Sequence, residues 1–194
     1  MEIKKTCLAT LRDGYLQARI WLYNLLSDGE VLGDPRIMHP CIFTGAGKVA
    51  FGENVRVGIR HSPNFWHGSN HFDTRSSEAL IKIGNNVAIN NCFTAICLAG
   101  ITIDDNTLIG FNVTIMDFDA HGIEPDLRRG NPGKHGAVHI GRNCWLGSNT
   151  AILKGVAIGD NSIIGLGSVV TGNIPANVIA AGNPCRVIKA ISAE

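Results

Sequence analysis

The sequence predicts an all-β fold, a parallel β-helix shaped as a triangular prism, and three observations predict it. Aliphatic residues return every six positions: from Ile140 the chain reads IGRNCW, LGSNTA, ILKGVA, IGDNSI, IGLGSV, VTGNIP, with Ile, Leu or Val at 140, 146, 152, 158, 164 and 170. Glycine supplies 23 of the 194 residues, well above the usual ~7%. Aromatic residues make up only 6%. A period of six is neither the helical 3.6 nor the 2 of a half-buried strand. It suits a short strand followed by a tight corner, where Gly, Asn or Asp tolerates a positive φ. Three hexads then close one coil, and stacked coils set each aliphatic side chain on its counterparts above and below. Such a core is narrow, which accounts for the scarcity of aromatic residues. A β-sandwich would instead repeat every ~8–12 residues and alternate faces.

The elements follow in chain order. Residues 3–26 carry Leu8, Leu11, Tyr15, Leu22 and Leu26 at helical spacings and end in SDGE, so residues 1–35 read as a helical segment packed on the prism or on a neighbouring subunit. The prism is expected over 36–175. A weak block at Phe51 and Val57 opens it; Ile83 and Ile89 follow, and after a two-residue slip at CLAG the pattern resumes at Ile103, Ile109 and Ile115. Two stretches interrupt the repeat, RHSPNFWHGSNHFDTRSSEA at 60–79 and DFDAHGIEPDLRRGNPGKHGA at 117–137. Long loops on a rigid scaffold commonly carry function. The tail, 176–194, leaves the repeat and is expected to end in a short helix, with Gly182 and Pro184 marking the turn into it.

Charge excludes some partners. Seventeen Lys and Arg against sixteen Asp and Glu leave a net charge of +1, scattered along the chain, so nucleic acid and anionic membranes are not expected as partners. No stretch reads as a membrane span or a signal peptide, and a cytoplasmic location is expected. The six cysteines show no C-x-x-C pair and are expected to be reduced and mostly buried.

The hexads, the string D-x-D-x-H-G-I ending at Ile123, the CWLGS segment and the closing IGDNSIIGLGSVVTGNIPANVIAAGNPCRVIKAI resemble the hexapeptide-repeat acyltransferases, nearest to the galactoside, maltose and polysaccharide sugar O-acetyltransferases. That resemblance implies a left-handed parallel β-helix, a homotrimer with its sites between subunits, and acetyl-CoA as co-substrate with no metal. It also assigns roles. His121, at the root of the second loop, corresponds to the catalytic base, the task for which histidine is suited near neutral pH. Trp145 would lie along the pantetheine arm. The Ser148 N–H would support the thioester oxygen, the Leu166 backbone would bind the pantetheine amides, and Thr171, Arg186 and Lys189 would lie toward the nucleotide. Where relatives often place a lysine, the residue after Thr171 is Gly172, so the phosphates would depend on Arg186, Lys189 or a neighbour.

On the acceptor side the resemblance points to Asn90, with Asn91 as the adjacent alternative, and the first loop offers Trp66 and His67. That loop is polar, aromatic and largely uncharged, which suits the CH and OH surfaces of a neutral pyranose. His61, His67, His71 and Asp73 include an i, i+4 histidine pair, but Pro63 and Gly68 argue against the helix that would make it converge on a metal. The expected reaction is acetyl transfer from acetyl-CoA to a sugar hydroxyl in a ternary complex. N-acetylation of an amino sugar and a zinc enzyme of the carbonic-anhydrase type are the alternatives.

Overall fold

The structure, a computed structural model, describes residues 2–129 and 133–192, with side chains from residue 7 onward; residues 130–132 of the second loop and the last two residues of the tail lie outside it. Up to the last coil each prism strand pairs in parallel with the strand three later, the pairing a three-stranded coil dictates. The first face holds β1 (Glu30–Leu32), β4 (Lys48–Phe51), β7 (Leu80–Ile83), β10 (Gly100–Ile103), β13 (Val138–Ile140) and β16 (Ala157–Ile158). The third holds β3 (Cys41–Gly45), β6 (Asn70–Thr74), β9 (Thr94–Cys97), β12 (Thr114–Met116), β15 (Ala151–Ile152) and β18 (Val169–Val170). Between them the second face stacks β2 (Arg36–Ile37), β5 (Arg56–Val57), β8 (Ala88–Ile89), β11 (Leu108–Ile109), β14 (Trp145–Leu146) and β17 (Ile163–Ile164), then β19 (Val178–Ala181) and β20 (Arg186–Ala190).

The hexad positions are the core. Val57, Ile89, Ile109, Leu146, Ile164 and Ala180 form one buried column down the second face. Each buried aliphatic side chain contributes about 1.5–3 kcal/mol of burial. The corners are made largely by asparagine: Asn54, Asn86, Asn106, Asn143, Asn161 and Asn177 all sit at φ between 54 and 62°. Their side-chain amides hydrogen-bond from coil to coil, as in Asn143 to Asn161 at 2.9 Å and Asn161 to Asn177 at 2.8 Å. Aromatic volume does enter the prism, but only near its N-terminal end, where Phe43, Phe72 and Phe93 stack at 5.1 and 5.4 Å. Strands β3 and β6 have five residues there, against two in β15 and β18, so the coil is wider.

Helix α1 (Glu2–Leu25) buries Leu16 near β3 and leaves a second apolar stripe exposed, Leu8, Leu11, Tyr15, Ala18, Leu22 and Leu25. The six cysteines are free; Cys41, Cys97, Cys144 and Cys185 are buried, and burial pushes the Cys41 and Cys97 thiols up to about 12.

Three expectations need correction. The tail forms no short helix: β19 joins the second face beside β17, Gly182 turns the chain at φ +103°, and β20 returns antiparallel along β19. The last coil has an open edge, and a hairpin strand satisfies its backbone where a helix could not. The first coil begins at Glu30, inside the segment assigned to the N-terminal helix, and β19 carries the prism past 175. The first loop shrinks to residues 58–69, because Asn70–Thr74 is β6, inserted between β3 and β9.

Candidate functional site

The register carries on past the second face into the corner that follows it, stacking Ile59, Asn91, Phe111, Ser148 and Leu166 in one column, each step one coil of ~4.8 Å. Glycine at 110 and 147 shapes this corner. A Cβ on Gly110 would come within 2.6 Å of the Ser148 nitrogen, and one on Gly147 within 2.6 Å of the Leu166 nitrogen. With both side chains missing, the N–H groups of Ser148 and Leu166 stay open and have no hydrogen-bond partner among the described residues. Two bare donors one coil apart are fixed dipoles suited to carbonyl oxygens of an extended ligand. The Ser148 hydroxyl is occupied, accepting from the Phe111 N–H at 3.2 Å.

At the same corner the two candidate asparagines separate. Asn91 is fully buried; its Nδ2 donates to the Ile59 and Pro63 carbonyls at 3.1 and 2.9 Å and its Oδ1 accepts from the Ile59 N–H at 3.0 Å, so it pins the first loop to the prism. Asn90 uses only Oδ1, accepting from the Asn91 N–H at 2.7 Å, which leaves its Nδ2 for a ligand.

Trp145 points outward from β14 and is 54% exposed, because the inward position is taken by Leu146. It lines a groove of about 620 Å3 with Leu108, Asn143, Asn161, Ile163 and Ile191. The outward column runs Trp145, Ile163, Ile179, Lys189. A bulge between Ile179 and Ala180 pairs Lys189 with Ile179 and Arg186 with Ala181, so both cations fall on the outward side although they are three apart. Sequence reasoning placed these cations on a helix; the strand aligns them with Trp145 instead.

His121 stands elsewhere, on the corner between the third and first faces, where the second loop leaves β12 and returns at β13. The loop root is tied down twice. Asp117, fully buried, accepts from the N–H groups of Leu98, Ala99 and Gly100 at 2.7, 2.8 and 2.7 Å. Asp119 pairs with Lys154 of the next coil at 2.6 Å, each side chain 30% exposed. Beyond them a short 3-10 turn, Pro125–Leu127, brings the Arg128 carbonyl to 2.8 Å from His121 Nδ1. A carbonyl only accepts, so Nδ1 carries the proton and the exposed Nε2 keeps its lone pair. The orienting partner is therefore a backbone carbonyl and none of Asp117, Asp119 or Glu124. Thr171, exposed after β18, shares this corner with His121 and lies away from Ser148 and Leu166.

The first loop meets α1. Trp66 is half-buried, and the guanidinium groups of Arg12 and Arg60 stand 5.8 and 5.9 Å from its ring centre. Arg19 donates to the Trp66 carbonyl at 3.0 Å and to that of Gly68, and Arg60 pairs with Asp13 at 2.5 Å. Sequence reasoning named Trp66 and the exposed His67 but missed these arginines, because two of them lie far away on the helix. His71 bonds Thr44 Oγ1 at 3.0 Å and Asp73 pairs with Arg75 at 2.6 Å. Among the described residues no three His, Cys, Asp or Glu side chains are grouped to hold a metal ion. No described helix is long and apolar enough to cross a membrane.

Residues 137–172 match the family model for bacterial transferase hexapeptide (six repeats). A putative lipopolysaccharide biosynthesis O-acetyl transferase, WbbJ of Escherichia coli (strain K12), is 31% identical over 170 residues, covering 81% of this chain and 80% of that one. The galactoside O-acetyltransferase of the same strain is 46% identical over 112 residues, 58% of this chain, and the match spans about half of that relative, 55% of its length. Among solved structures, a galactoside acetyltransferase in complex with coenzyme A superposes with a TM-score of 0.58 at 26% identity, covering 94% of this chain and 82% of that one.

Proposed function

The chain belongs to the bacterial hexapeptide-repeat transferases, whose fold is the left-handed parallel β-helix, and on that premise we propose that it moves acetyl from acetyl-CoA to a saccharide hydroxyl. One observation supports the reading: the residues to which the resemblance assigns roles lie at two corners of the prism. The corner after the second face holds the bare Ser148 and Leu166 N–H groups, with Trp145 beside them and Asn90 two coils above Gly147. The other, after the third face, holds His121 and Thr171. With a whole face between them, one chain does not bring the halves together, whereas a threefold ring sets one corner against the other corner of its neighbour. The exposed stripe on α1, repeating every seven residues through Leu8, Tyr15 and Leu22, is a surface that a neighbouring copy would cover. Assembly is expected at about 62 kDa, three times the 20.7 kDa chain.

In this cleft His121 Nε2 takes the proton of the acceptor hydroxyl as its oxygen attacks the thioester carbonyl. The Ser148 N–H steadies the charge on the carbonyl oxygen, the C–S bond breaks, and His121 returns the proton to the departing thiolate. Trp145 and its groove would seat the pantetheine arm, with Arg186 and Lys189 toward the phosphates. An acceptor panel with acetyl-CoA, followed by free thiol release, tests the reading. The product should be an ester that hydroxylamine or mild alkali cleaves; an acetyl group surviving as an amide would replace it with N-acetylation.

A further inference from the structure

The first loop reads as largely uncharged, with Arg60 at its start, but Arg12 and Arg19 of α1 change its electrostatics. Three guanidinium groups, Arg12, Arg19 and Arg60, converge on Trp66, and Asp13 is the single carboxylate among the ion pairs found there. Arg12 has no ion pair or hydrogen bond among the described residues, so its planar fork of donors, lying over an aromatic ring, is free for an incoming group. Arg12 and Arg60 stand 5.8 and 5.9 Å from the Trp66 ring centre, so an anion at the ring is attracted by both. Arg60 directly follows Ile59, the head of the corner column, and Ile59 lies three coil steps, roughly 14 Å, from Ser148. A short oligosaccharide, or a sugar with its pyrophosphate, bridges such a span.

We propose, resting on the acetyl-transfer reading above, that the acceptor saccharide carries an anionic group, carboxylate or phosphate, away from the reacting hydroxyl, and that Arg12 and Arg60 over Trp66 bind it. Arginine is suited to both groups because each accepts its paired N–H bonds. Asp13 opposes the anion and moderates the affinity. The acetylated position is still a hydroxyl; what changes is the class of saccharide presenting it, from neutral to acidic.

The test compares a glucose trisaccharide, the same trisaccharide ending in glucuronate, and UDP-glucose, by acetyl-CoA-dependent thiol release and by calorimetric binding without acetyl-CoA. At least one anionic acceptor should exceed the neutral one by ~10-fold in kcat/KM, a preference that fades at high salt. Glucuronate or UDP-glucose, whichever wins, identifies the source of the anion. R12Q and R60Q should each lower the anionic-to-neutral ratio by ~10-fold without moving the KM for acetyl-CoA, as expected for loss of a charged hydrogen bond. D13N should do the opposite and tighten the anionic acceptor by ~2–3-fold, the size of an exposed charge effect and a gain that a merely structural role for Asp13 would not produce. Equal kcat/KM for all three acceptors, or an equal loss in R12Q on neutral and anionic ones, overturns the proposal while leaving acetyl transfer standing. If no acceptor releases thiol, acetyl transfer itself fails and calorimetry decides: anion-selective binding lost in R12Q upholds the subsite, and its absence overturns it.

Discussion

The two corners flanking the third face are built from the same repeat and do opposite things. The corner holding Ser148 and Leu166 keeps its period, and its regularity is its use. Glycine at 110 and 147 lets the coils approach so closely that peptide N–H groups are left bare in register. The corner holding His121 abandons the period, throwing out residues 117–137 to present an imidazole that no hexad position could aim. On the proposed reading the regular corner supplies fixed dipoles, the broken one a proton acceptor, and catalysis needs both, which the prism keeps a face apart.

Variants at each corner should therefore fail differently. The largest effect is expected from His121→Ala, which should lower kcat by about 10²–10⁴-fold while acetyl-CoA still binds, since a general base contributes about that much; calorimetry beside turnover checks both halves. Gly147→Ala closes the other corner. Its Cβ would meet the Leu166 nitrogen at 2.6 Å and the Ile164 carbonyl oxygen at 2.7 Å, both backbone, so the coils must part. Overpacking of this kind costs ~1–3 kcal/mol, and each kcal/mol lowers Tm by ~2–4 °C in a chain of this size. Acetyl-CoA affinity should fall with it, whereas His121→Ala leaves Tm in place. Trp145→Ala comes next: it removes an exposed packing surface, so KM for acetyl-CoA should rise ~10-fold with kcat nearly kept. Equal loss in kcat would move Trp145 out of the donor half. The smallest effect belongs to Lys154→Met, which releases Asp119 at the loop root. The pair is partly exposed and worth ~1 kcal/mol or less to stability, so kcat should drop only a few-fold, without change in acetyl-CoA binding.

How much could be read from the sequence follows the same division. The hexad column from Ile140 to Val170, the outward Trp145 and the loop at His121 are local in sequence, and a period of six exposes them. The partner of His121 was hidden because it is a backbone carbonyl, which any residue at 128 would provide. Asn90 and Asn91 could not be separated by pattern, since both suit a corner; only burial shows that Asn91 spends its amide on the first loop. The β19–β20 hairpin was misread as a helix because an antiparallel cap ends the repeat, and Val187, Ile188 and Ile191 fit a helical stripe as well as a bulged strand. The arginines around Trp66 were missed for a different reason. Arg12 and Arg19 belong to α1, and only tertiary packing sets them against a loop some fifty residues later.

The most direct test of a site split between corners is complementation. Mixing the His121→Ala chain with the Trp145→Ala chain, at acetyl-CoA well below KM, where the first alone is almost silent and the second keeps about a tenth of the parent rate, should raise activity above both, because some clefts then pair an intact His121 corner with an intact Trp145 corner. Random assembly of equal amounts into threefold rings makes about one cleft in four intact, so about a quarter of the parent activity is predicted. Mixed assemblies no more active than the Trp145→Ala chain alone would contradict the account and place both residues in one chain's site.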